Sequence, residues 1–214
     1  MALHVRIFAR EEIVAGTAAG FDAVISVRGT SSRSPTRELD AAIAEAVLGE
    51  VDAMLVLRFG DIGLPAFGRQ TGPADEHALA VLDFARSLGT RLPDARIAIH
   101  CEMGRSRSAA IALGIIADEL GPERESEAVA ELLGRDIEGH VAPNPLLVHL
   151  PDQRLWRYGA LEAAPATASP AYVVARDHWA AVAAHPQGAL QARTERGRRP
   201  RRNDFDQDVS GDWS

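Results

Sequence analysis

Ile97-Ala-Ile-His-Cys-Glu-Met-Gly-Arg-Ser-Arg-Ser-Ala-Ala110 holds the only cysteine of this 214-residue chain, Cys101, and Arg107 follows it with five residues between. The strand-like run ending at His100 delivers the cysteine into a short polar loop containing Gly104. That loop passes directly into the alanine-rich apolar stretch from Ala109, which reads as a helix. A thiol placed there sits among backbone N–H groups that lack intrahelical partners, at the positive end of the helix dipole. The same groups suit a tetrahedral oxyanion. Nucleophile and anion cradle share one turn of chain, a combination that points to phosphoryl transfer through cysteine.

Working outward, Val5-Arg-Ile-Phe8 and Phe21-Asp-Ala-Val-Ile-Ser-Val27 read as strands, joined by a short helical segment around Glu11 to Ala18. Gly29 to Pro35 is a turn-rich loop, a helix is expected from about Thr36 to Leu48, and Ala53 to Phe59 reads as a buried strand. Gly60 to Pro73 is dense in Gly and Pro and predicts a long mobile loop. Apolar spacing from Leu79 to Leu88 marks a helix. The helix after Cys101 is expected to end near Gly121-Pro122, with two more over roughly Glu123 to Gly134 and Pro145 to Glu162. Strands alternating with helices imply an α/β fold, with a mostly parallel central sheet flanked by helices on both faces. The cysteine loop then lies at a strand's C-terminal end, where such sheets bind ligands. Ala163-Ala-Pro-Ala-Thr-Ala-Ser-Pro170 reads as a low-complexity linker. The division expected is a domain over 1–163 and a largely disordered tail over 164–214 with a basic segment at 193–202.

Composition narrows the class. Residues 1–163 carry 16 Arg against 24 Asp plus Glu, an acidic balance that argues against a general nucleic-acid binder, whose phosphate contacts need a basic surface. The longest apolar stretch, Ala109 to Ala117, is far short of the roughly 20 residues that span a bilayer. The N-terminus lacks the layout of a secretory signal, so no membrane association is expected. A single cysteine rules out an intrachain disulfide framework and fits a reducing cytoplasm. No Cys/His cluster has zinc spacing, so neither metal nor cofactor is expected.

The segment His100-Cys101-Glu102-Met103-Gly104-Arg105-Ser106-Arg107-Ser108 resembles the signature loop of the cysteine-dependent protein tyrosine phosphatases, His-Cys-x-x-Gly-x-x-Arg-Ser/Thr. From about residue 3 to 163 the chain is similar to the small dual-specificity-type phosphatases of bacteria. Leu57-Arg-Phe-Gly-Asp-Ile62, the helical stretch before the cysteine strand, and Ala142-Pro-Asn-Pro145 add to that likeness. The resemblance implies a dual-specificity-phosphatase-like fold and hydrolysis of phosphomonoesters through a phosphocysteine. The expected substrate is a phosphorylated protein or a small phosphate ester, with phosphotyrosine the default and phosphoinositides open.

Residue types fit those roles. Cys101 is the expected nucleophile, its thiol made acidic by the helix start, Arg107 and His100. Arg107 presents a planar fork that binds two phosphoryl oxygens, which lysine cannot reproduce. The loop from Glu102 through Met103, Gly104, Arg105 and Ser106 to Arg107 would hold the phosphate; Gly104 is read as allowing a special backbone conformation or close approach of the phosphate. Asp61 is the candidate general acid, on a loop able to approach the leaving oxygen. Asp75 is the alternative, although its position also suits a helix start. From the resemblance, Ser108 would stabilise the departing thiolate and Asn144 would support the signature loop; a plain helix N-cap explains Asn144 equally well. His100 is expected to orient the loop and favour the thiolate by hydrogen bonding. Arg105 departs from the usual small or apolar residue and either reaches a second anionic group or pairs with Glu102. A catalytically weak phosphate-binding module is the alternative function. A sulfurtransferase fits the loop less well, and an arsenate reductase would want resolving cysteines.

Overall fold

The computed structural model describes residues 3–16, 19–29, 51, 53–134, 136 and 139–198. In chain order these form β1 (His4–Ala9), α1 (Arg10–Val14), β2 (Ala23–Arg28), β3 (Ala53–Arg58), β4 (Ala66–Phe67), β5 (Gln70–Thr71), α2 (Asp75–Arg91), β6 (Arg96–Cys101), α3 (Arg107–Leu120), α4 (Glu125–Leu133), α5 (Pro145–Arg154), α6 (Ala160–Ala168), α7 (Pro170–Ala184) and α8 (Pro186–Arg198). The turn-rich loop and helix expected between 30 and 50 lie outside the described residues.

Four strands pair in the order β1-β6-β2-β3, every pair parallel. β6 lies between β1 and β2, and its residues from Ile97 to Cys101 are all buried. Alternation sends Ile25, Ile97 and Ile99 into the larger core, while Val24 and Ala98 pack with Phe8 and Ile13 on the opposite side. Helix α1 covers that second face; α3 lies against β1 and β6 on the first, surrounded by α2, α4 and α5. Arg107 through Ala117 of α3 are all buried, so this is the central helix, and its alanines and Gly114 allow close approach; a Cβ at Gly114 would lie 3.1 Å from Pro151. The expected α/β class and sheet therefore hold.

Three local expectations change. The loop from Gly60 to Pro73 is not wholly irregular but contains a short hairpin, β4–β5, in which Gly68 takes φ +61° at the first position of the two-residue turn. The single helix expected over Pro145 to Glu162 is two, α5 and α6. The buried Asp152 carboxylate accepts hydrogen bonds from the backbone N–H of Gly159 (2.8 Å) and Leu161 (2.9 Å), so it caps the second helix and turns the chain. Gly159 takes φ +90° there. The disordered tail does not begin at 164: α6 runs through the supposed linker, Ser169 accepts from Tyr172 N (3.1 Å) as N-cap of α7, and Tyr172 is fully buried in the main core. Alanine is the best helix former, and Ser169-Pro170 is a helix-start pair, so the low complexity of this stretch signals helix. The basic segment from 199 onward and the acidic end are outside the described residues.

Candidate active site

The signature loop joins β6 to α3, and its backbone is held from outside. Arg10 N donates to Glu102 O (3.3 Å), Ala142 N to Arg105 O (3.0 Å) and Asn144 N to Ser106 O (3.3 Å). Gly104 takes φ +70°, and a Cβ there would lie 2.7 Å from Phe8 C and 2.8 Å from Ala9 N. The special backbone conformation expected of this glycine is present, and the absence of a Cβ also lets the loop pack against β1.

Cys101 and Ser108 meet within this loop, with Sγ and Oγ 3.3 Å apart and both residues buried. Burial pushes the Cys101 thiol up, but the Ser108 hydroxyl and N–H, the Arg107 guanidinium and the Met103 N–H together outweigh it and leave the thiol more acidic than an ordinary cysteine. Arg107 is buried, donates from Nη1 to Phe59 O (3.0 Å), and holds Nε 3.7 Å from Asp61 Oδ2.

Asp61, some forty residues upstream of the cysteine, comes to the same loop. Its Oδ1 accepts from Ser106 Oγ (2.8 Å) and from Asn144 Nδ2 (3.0 Å). Asn144 also donates to Ile62 O (3.2 Å), while its own Oδ1 accepts from Leu147 N (3.1 Å) as N-cap of α5. The amide therefore caps α5 at one end and holds Asp61 and the Ile62 carbonyl at the other, while Asn144 meets the signature loop itself through its backbone N–H to Ser106 O. Asp75, by contrast, opens α2 and is paired with Arg154 of α5.

Two expectations fail here. His100 is fully buried and, among the described residues, neither ring nitrogen has a hydrogen-bond partner. Burial, with the nearby cations Arg28, Arg10 and Arg107, pushes it down to about 4. It is therefore neutral at physiological pH and brings no charge to the thiol; the Cys101 backbone beside it offsets only part of this and lies outside hydrogen-bonding geometry. Glu102 pairs with Arg10 rather than Arg105, and Arg105 is exposed with no ion-pair partner among the described residues. Ser106, expected only among the residues that hold the phosphate, joins Arg107 in linking the signature loop to Asp61, and no local spacing announces that contact. Among the described residues no three His, Cys, Asp or Glu side chains gather as metal ligands would, and no helix is long and apolar enough to cross a membrane.

No family model matches the chain, and no curated protein matches it. Among solved structures it is similar to human tyrosine phosphatase-like serine/threonine/tyrosine-interacting protein, at 16% identity over 72% of this chain and 92% of that chain, with a TM-score of 0.50. Similarity extends to human DUSP28 (16% identity, 73% and 94%, TM-score 0.44). It extends also to the Yvh1 phosphatase domain from Chaetomium thermophilum (18% identity, 74% and 92%, TM-score 0.41). With its parallel sheet and the Cys101 loop at the end of β6, the chain has a tyrosine-phosphatase-like fold.

Proposed function

We propose that this protein is a phosphomonoester hydrolase acting through a phosphocysteine, most simply a protein-tyrosine or dual-specificity phosphatase of the cytoplasm. One observation carries the reading. Four groups suited to the reaction converge on one loop: the acidified Cys101 thiol, Ser108 3.3 Å from it, the buried Arg107 guanidinium, and Asp61 held by Ser106 and Asn144. The Cys101 thiolate attacks phosphorus, forming the S–P bond as the ester P–O bond breaks; Asp61 gives its proton to the leaving oxygen. Arg107 and the loop N–H groups hold the phosphoryl oxygens as charge develops on them. Water then attacks the phosphocysteine, Asp61 takes its proton, and Ser108 stabilises the departing thiolate.

Turnover of p-nitrophenyl phosphate by the wild type, lost in Cys101→Ser and reduced about 100- to 10,000-fold in Asp61→Ala, is the expected result. Turnover indifferent to Asp61 would remove it from the mechanism. Tight phosphate binding without turnover on this ester or on a phosphopeptide panel would make the protein a phosphate-binding module instead. A second substrate class is favoured by Arg105. An exposed guanidinium beside the phosphate loop, with Glu102 engaged elsewhere, suits a substrate bearing a second anionic group, such as a phosphoinositide.

A further inference from the structure

The hairpin that follows Asp61 has two differently bonded sides. Its inner side is polar: Asp61 and the Ile62 carbonyl receive hydrogen bonds from Ser106 and Asn144. Its outer side is apolar and does not reach the main core. Ile62 and Phe67 are buried in a separate small cluster, completed by Val182 and by the partly buried Leu64, Trp179 and Ala189. Three of those six residues belong to α7 and α8, more than a hundred positions further along the chain.

Contact is closest at Gly63, two residues beyond Asp61. A Cβ there would lie 2.4 Å from Trp179 Cγ and 2.6 Å from Cδ1, so the side chain lies directly on the backbone of the acid loop. The Phe67 ring meets Trp179 edge-on at 6.0 Å. At the hairpin tip, Arg193 Nη1 donates to Gln70 Oε1 (2.8 Å) and its guanidinium lies 5.9 Å from the centre of the Phe67 ring. The neck of the hairpin is closed by Gly60 N donating to Thr71 O (2.7 Å), and glycines occupy both of its ends at 60 and 72. A closed neck lets the hairpin move as one piece, carrying Asp61 with it.

We propose that α7 and α8 position the general acid: Trp179 and Arg193 hold the hairpin, and through it Asp61, against the signature loop. Without that cover Ile62 and Phe67 would face water, and only the polar contacts of the inner side, from Ser106, Asn144 and Arg107, would be left to keep Asp61 in place. A misplacement of about 1 Å in a reacting group costs up to about 100-fold in rate. The chemistry of this inference rests on the phosphatase proposal; its geometry does not.

The test uses the full chain as wild type, Trp179→Ala, Trp179→Phe and Arg193→Gln, with two readouts. The first is hydrogen exchange across 60–73, measured against β6 and α3. The second is kcat/KM, which reports only the steps through leaving-group departure, on phenyl phosphate, whose leaving group needs a proton, against dinitrophenyl phosphate, whose leaving group does not. Trp179→Ala is expected to speed exchange in 60–73 while β6 and α3 keep their protection. It should lower kcat/KM roughly 10- to 100-fold on phenyl phosphate and much less on the dinitrophenyl ester. Trp179→Phe should restore most of both, and Arg193→Gln, an exposed change that spares the core, should shift both in the same direction by less. Unchanged exchange in 60–73, or equal losses on the two esters, would overturn the positioning role. A wild type that cleaves neither ester refutes the phosphatase proposal, and the exchange comparison alone then upholds or overturns the clamp.

Discussion

Taking this protein from about pH 7 to about pH 4.5 is expected to cost about 2 kcal/mol of stability through His100 alone. The side chain is fully buried in the middle strand of the sheet, with no partner for either ring nitrogen among the described residues. Burial, helped by Arg28, Arg10 and Arg107, brings it from 6.5 to about 4. Between those two values the unfolded chain binds a proton that the folded chain refuses. The stabilising contribution is therefore complete above about pH 6.5 and lost as the pH falls towards about 4. Full burial means no discount for solvent screening applies. Carboxylates bring an acid dependence of their own, so the quantity to measure is the difference between wild type and His100→Gln in urea unfolding at the two pH values. With a slope of roughly 2–3 kcal/mol per molar urea, the wild-type midpoint should fall by about 1 M more than that of the variant. Equal losses in the two chains would refute the account and mean that His100 is protonated, or solvated, inside the fold.

Three further substitutions probe the site and its frame. Gly104→Ala should cost about 1–2 kcal/mol for the left-handed backbone alone. Its Cβ would press on the Phe8–Ala9 backbone, so a lower melting temperature with weakened orthovanadate inhibition is expected. Asn144→Ala should lose about 1 kcal/mol of helix capping together with its hold on Asp61; Asn144→Asp keeps the cap but sets a buried carboxylate against Asp61 and the Ile62 carbonyl, so both the melting temperature and kcat/KM on phenyl phosphate should fall. Asp152→Ala leaves the N–H groups of Gly159 and Leu161 without their acceptor and should destabilise by about 1–3 kcal/mol in chemical denaturation; Asp152→Asn, which keeps an acceptor for one of them and turns an NH2 on the other, should recover only a minor part.

The nucleophile loop was legible because it is contiguous. Strand periodicity before Cys101, a glycine where φ is +70°, and an alanine-rich helix start specify their own backbone within a few residues, so Cys101, Arg107 and Ser108 are placed by local rules. The parallel α/β sheet was legible for a similar reason, since alternating strand and helix patterns leave few ways to bury both. Local pattern could not show that His100 is neutral, because its charge depends on β1 and β2 closing around it and on three arginines from separate segments. Nor could it show that one amide of Asn144 caps α5 and also holds Asp61. The break between α5 and α6 depends on a carboxylate reaching forward past a turn, and the cover over the Asp61 hairpin on two helices in a stretch that reads as disordered tail. What the sequence determined alone was the residue set that fits within one turn of chain; which carboxylate reaches the signature loop, and what keeps it there, was decided by packing between segments that are far apart in sequence, because hydrogen bonds and apolar contacts at that separation exist only once the elements have docked.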